Sequence, residues 1–80
     1  MEGVRTTVEC YSGYTYAQEP RAFVWQGARL VVEAIERSGR RPSGPFFQVR
    51  VADGRRFRLS YDEAADAWDC EPLAGRGAPP

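Results

Sequence analysis

Eighty residues, 42% hydrophobic and 28% charged, bound the chain to one small globular domain with no room for a second core. No apolar run approaches the roughly 20 residues of a membrane helix, and no basic region followed by an apolar core opens the chain, so the expected compartment is the cytoplasm. Eleven arginines balance eleven acids, which excludes a polyelectrolyte binder, and the lack of histidine excludes ordinary near-neutral general-base and imidazole–metal chemistry.

In chain order, residues 4–11 alternate, with Val4, Thr6, Val8 and Cys10 on one side, and read as a strand interrupted at Ser12-Gly13. Tyr14, Thr15 and Tyr16 continue it past a bulge, and Gln18-Glu19-Pro20 ends it. Residues 21–25 and 28–32 flank Gln26-Gly27. A two-residue loop there pairs Trp25 with Ala28 and Phe23 with Leu30, gathering Phe23, Trp25, Leu30 and Val32 on one face. Residues 28–37 also carry a helical pattern: Glu33 and Arg37 stand at i and i+4, and Gly39 follows as a stop. The β-branched pair Val31-Val32 and the tight turn before it favour a strand that becomes irregular near Ile35.

Residues 38–45, rich in Ser, Gly and Pro, read as the one internal loop. The span 46–61 follows, and its register can be decided. A two-residue Asp53-Gly54 turn would oppose Val51 to Arg56 and Val49 to Arg58, mixing apolar and charged side chains on one face. A three-residue loop, Ala52-Asp53-Gly54, instead pairs Val49 with Phe57 and Phe47 with Leu59, with Gly54 at the left-handed position of a bulged turn. Phe47, Val49, Phe57, Leu59 and Tyr61 then face the core, and Phe46, Gln48, Arg50, Arg56, Arg58 and Ser60 face away. The last hairpin sets Tyr61 opposite Trp68 and Leu59 opposite Cys70 across a loop from Glu63 to Asp66, capped by Asp62. Residues 74–80 read as a disordered tail behind a domain spanning 4–73. The sum is an all-β domain: about six short strands in successive hairpins, forming a small antiparallel SH3-like or half-open barrel.

The elements Pro20-Arg21-x-Phe23-x-Trp25-x-Gly27, then Phe47-x-Val49-x-Val51-x-Asp53-Gly54-x-x-Phe57-x-Leu59-x-Tyr61-Asp62, then Trp68, resemble an uncharacterised bacterial family of small β-domains. Sequences similar to that family stand both alone and as C-terminal appendages of proteins similar to Y-family DNA polymerases. The resemblance covers about residues 19–73 and implies an all-β fold, with no site residues to carry over.

Candidate chemistry is sparse. Cys10 and Cys70 offer no C-x-x-C and no zinc cage. Were the first and last strands neighbours, the thiols would meet, and closing a ~60-residue loop would add roughly 4 kcal/mol; in a reducing cytosol they are two small buried hydrophobes. Asp62, Glu63, Asp66 and Asp69 lack the glycine and terminal glutamate of a calcium loop, and Gly39 and Gly44 around Arg40-Arg41 lack a phosphate-cradle signature. The expectation is therefore a binding or accessory module, not an enzyme, with no metal or cofactor.

Two partner classes compete. Residues 37–58 hold seven arginines against one aspartate, a bias that a GC-rich genome's arginine codons also explain. On the face away from the core, Arg50, Arg56 and Arg58 flank Phe46, with Arg40 and Arg41 in the adjoining loop: cations for phosphates and a ring for a base, as single-stranded nucleic acid requires. The same face reads equally as solvated, with Asp69 and Glu71 opposite the arginines. Tyr11, Tyr14 and Tyr16 exceed what the core needs, and exposed Tyr and Arg suit a protein interface or a homodimer. The protein partner, or a second copy, is the preferred reading.

Overall fold

The computed structural model describes residues 4–10 and 19–73, and among them it contains seven antiparallel strands and no helix. These are β1 (Val4–Thr6), β2 (Val8–Cys10), β3 (Pro20–Trp25), β4 (Ala28–Arg41), β5 (Gly44–Val51), β6 (Arg56–Asp62) and β7 (Ala67–Leu73). They lie in the order β1-β7-β6-β5-β4-β3-β2. Because β1 and β2 are consecutive in the chain, the sheet curls back on itself into a nearly closed barrel. The all-β barrel expected from the hairpin pattern is the fold observed.

Closure is where the sequence reading needs its first correction. The alternating segment 4–10 is not one strand but two, parted at Thr7. Its first half pairs with β7, setting Val4 against Cys70, and its second half pairs with β3, setting Val8 against Phe23. At the changeover the Val24 amide donates to the Thr7 carbonyl at 3.1 Å, and the Thr6 hydroxyl donates to the Val24 carbonyl. One short segment thus satisfies both ends of the sheet, removing edges that would otherwise be left open.

The three hairpins with explicit turn chemistry have the expected registers. Trp25 faces Ala28 across a turn in which Gln26 and Gly27 both have positive φ, at 51° and 82°. Val49 faces Phe57 and Phe47 faces Leu59, with Gly54 at φ 95° and its amide donating to the Val51 carbonyl at 2.9 Å. Tyr61 faces Trp68, and Asp62 Oδ1 accepts from the amides of Ala64 and Ala65.

Residues 28–41 form a single long strand, so the helical pattern in 28–37 does not express itself, and the loop expected over 38–45 is instead the end of one strand and the start of the next. Arg41 pairs with Gly44 around a tight turn at Pro42-Ser43, and Ser38, Gly39 and Arg40 pair with Phe47, Phe46 and Pro45. Two bulges, between Val32 and Ala34 and between Ile35 and Arg37, explain the confusion. Each inserts one residue, so the half-buried side chains packed on the core run Leu30, Val32 and Ile35, at spacings of two and three, with the exposed Ser38 three further on opposite Phe47, and a threefold spacing imitates a helix face. Gly39, a poor strand former, sits under the Phe46 ring: a methyl there would stand 2.8 Å from two ring carbons. The ring covers the strand where the glycine supplies no side chain.

The core has two aromatic ends joined by small residues. Phe57 contacts Phe23 and Trp25 at centroid distances of 5.1 and 5.4 Å, while Trp68 contacts Tyr61 at 5.2 Å and Phe47 at 6.1 Å. Val49, Leu59 and Cys70 fill the middle with no exposed surface. Cys10 and Cys70 are both buried thiols and not a disulfide.

Candidate functional site

The alternation of β5 and β6 puts Phe46, Gln48, Arg50, Arg56, Arg58 and Ser60 on one outer face, as the hairpin register requires. Arg50 and Arg56 stand directly opposite each other, an arrangement that like charges oppose. The bulges of β4 resolve it. Their inserted residues are Glu33 and Glu36, and both glutamates lean over Arg50. Arg50 donates to Glu33 at 3.3 Å and to Glu36 at 2.9 Å, and Arg56 Nε donates to the other Glu36 oxygen at 2.6 Å. The Arg56 hydrogen bond, seconded by its charge and by Arg50, holds the Glu36 carboxyl below the ordinary glutamate range.

Arg58 on this face follows the same pattern, as does Arg40, which lies on the other side of β4 between Gly39 and Arg41. Arg58 reaches Glu71 at 3.1 Å, as the reading of a solvated, acid-matched face anticipates, and Arg40 reaches Glu63 at 2.7 Å. Asp69, the other acid placed opposite the arginines, pairs instead with Arg5 on β1 at 2.9 Å. Arg40 and Arg41 belong to β4, not to a loop, and Arg41 lies 5.0 Å over the half-buried Phe46 ring. Tyr11, Tyr14 and Tyr16 lie outside the described residues.

Two features of the face are not legible in the sequence. Glu33 and Glu36 gain their roles only through the bulges; unbulged, the odd-even alternation would put one of them inside. Arg37 and Arg41 are exposed and have no carboxylate within ion-pair distance among the described residues. Their positions relative to Gln48 and Gly44 are fixed only by the 38–45 hairpin. Elsewhere, burial and then the charge of Glu71 push the Cys70 thiol up to about 12, which removes it as a nucleophile near neutrality. A cleft of about 380 Å³ opens at the Asp53-Gly54 end between Trp25, Phe57, Pro72 and Leu73, bordered by Arg55 and Arg56. Both arginines there are already held, by Asp53 at 2.8 Å and by Glu36. The chain matches no protein-family model, no curated protein and no solved structure.

Proposed function

We propose that this chain is a small non-enzymatic protein-binding module whose partner is another polypeptide, whether a different protein or a second copy. The observation that carries the reading is the internal neutralisation of the arginine face. Arg50, Arg56 and Arg58 each hold a carboxylate of this chain, as does Arg40 on the other side of β4, so no continuous cationic track remains for a phosphate backbone to follow. Phosphates would have to displace Glu36 from two arginines at once. What remains on the surface, a half-buried ring with arginine over it and open strand backbone beside it, is the composition of a protein interface.

The nucleic-acid reading keeps one favourable observation, the Arg41–Phe46 stack, which resembles a platform for a base. Fluorescence anisotropy of a labelled single-stranded oligonucleotide at low salt separates the two. No binding at high micromolar protein is expected. Binding that weakens steeply with added salt, and that is lost in F46A, would replace the proposal with its rival.

A further inference from the structure

The backbone of β4 supplies a more specific statement about the partner. β3 pairs only with residues Ala28–Val31 of β4, and β5 pairs with Val32–Arg41 on the opposite edge. Beyond Val31, therefore, the edge of β4 turned away from β5 has no strand against it among the described residues. The two bulges interrupt that edge as far as Arg37, but Arg37–Arg41 is regular.

Which backbone groups point outward follows from the turn. Arg41 and Gly44 close the two-residue Pro42-Ser43 turn and so form a hydrogen-bonded pair, as then do Gly39–Phe46 and Arg37–Gln48. The N–H and C=O groups of the intervening residues, Ser38 and Arg40, face the open edge. Those four groups suffice to receive a short antiparallel strand. On the outer side of the same five residues stand Arg37 and Arg41, which have no carboxylate within ion-pair distance among the described residues, flanking Gly39, which has no side chain to obstruct a neighbour.

We propose that the Arg37–Arg41 edge of β4 is a docking site for an extended acidic segment of a partner protein, added as a further antiparallel strand with its carboxylates opposite Arg37 and Arg41. This inference rests on the protein-binding reading above and names the partner's chemistry. Main-chain bonds to Ser38 and Arg40 give the docking its register, and the two arginines select its charge. Charge also decides against a second copy. Pairing two β4 edges so that Ser38 meets Arg40 in both directions sets Arg37 of each copy against Arg41 of the other.

The test uses the whole chain, isotope-labelled, and a blocked seven-residue peptide of alternating threonine and valine with glutamate at its second and sixth positions. Titration is expected to move amide resonances of residues 37–41 and to slow solvent exchange of the Ser38 and Arg40 amides. Affinity should fall about tenfold or more in R37E/R41E, whose exposed side chains hold no carboxylate among the described residues, while the thermal melt stays close to that of the native chain. It should fall likewise when the third and fifth peptide amides are N-methylated, or when its glutamates become lysines. Absence of shifts at millimolar peptide, or shifts that survive R37E/R41E, would overturn the proposal. So would protection of Ser38 and Arg40 that grows with protein concentration alone, since that identifies a homodimer and leaves the protein-binding reading intact. That broader reading falls separately, by the oligonucleotide measurement.

Discussion

Gly44 tests the packing of the barrel most sharply, because two independent penalties meet there. Its φ of +149° lies in the region that residues with a Cβ avoid, which costs about 1–3 kcal/mol for alanine. A methyl on it would also stand 3.1 Å from Glu63 Cγ and 3.3 Å from the Tyr61 carbonyl carbon, and closer still to the carbonyl oxygen. That oxygen belongs to the backbone of a central strand and cannot swing aside, so overpacking adds about 1–3 kcal/mol. The total, roughly 2–6 kcal/mol, is a large share of the ~4–12 kcal/mol that a chain of this length has to lose. At about 4–8 °C per kcal/mol, G44A should lower Tm by at least ~8 °C. Gly54 is the control: its φ is also positive, at 95°, but nothing lies within 4 Å of a methyl there. G54A therefore carries only the backbone penalty, about 1–2 kcal/mol. Urea unfolding of both variants, with m-values compared, measures the difference. If G44A costs no more than G54A, then the turn at Pro42-Ser43 does not press on β6, and the tuck implied by the Glu63 amide donating to the Ser43 carbonyl at 2.8 Å is wrong.

Other perturbations probe other contacts. Gly39 and Phe46 should be coupled: G39A, which forces the ring to move, destabilises the protein with Phe46 present and becomes nearly neutral in F46A, as a double-mutant cycle in thermal melts will show. Cys70 has no exposed surface, so C70S places a hydroxyl in the core at a cost of about 1–3 kcal/mol, and the native thiol should react with a disulfide reagent only as fast as the chain opens. Because folding raises that thiol to about 12, its share of stability is complete below the unfolded thiol's range near 9 and fades as pH climbs between the two, so Tm should decline more steeply in that interval than it does in C70A. Glu36 titrates with the opposite sign: its lowered carboxyl stabilises above the ordinary glutamate range and ceases to do so as pH falls through the lowered value. E36Q should flatten that acid-side loss, and its Tm deficit at neutral pH should shrink in high salt.

The registers that could be read ahead of the structure all hang on a turn with one chemically sensible length. At Gln26-Gly27 and Ala52-Asp53-Gly54, shifting by one residue throws an arginine into the interior, so the hydrophobic pattern and the turn agree on a single answer. At Asp62 the side chain supplies the cap that fixes the loop. Nothing comparable marks Thr7, where the chain leaves β7 for β3: Val4, Thr6, Val8 and Cys10 keep their alternation straight through the changeover. Residues 38–45 mislead in the other direction. Gly39 and Pro45 weaken a strand in isolation, and only the covering ring of Phe46 and the pairing across the hairpin offset that weakness. The outer face was legible in its membership and not in its charge, since the acids that neutralise it arrive from bulges.

Those bulges tie the fold to the proposed docking edge. Without the two insertions, β4 would run in simple alternation from Ala28 to Arg41, and Glu33 and Glu36 would fall on opposite faces. Only one glutamate would then remain on the face where Arg50 and Arg56 confront each other, and that face would come closer to the basic track that nucleic acid needs. With them, two glutamates sit over Arg50 and the positive charge left over is concentrated at Arg37 and Arg41, beside the stretch of β4 where the ladder is regular again. Deleting Glu36 should therefore do two things at once. It removes one bulge and frees Arg56 while leaving Arg50 with Glu33 alone, so a weak, salt-sensitive affinity for single-stranded oligonucleotides should emerge where none is expected of the native chain. It also leaves the pairing on both sides of the deletion as it was, because Ile35 and Arg37 already face the adjacent residues Val49 and Gln48, so the acidic peptide should keep its register with Ser38 and Arg40. A deletion variant that folds, yet gains no affinity for oligonucleotides, would separate the bulge from the charge pattern, and one that loses the acidic peptide would show that the Arg37–Arg41 ladder depends on the bulge.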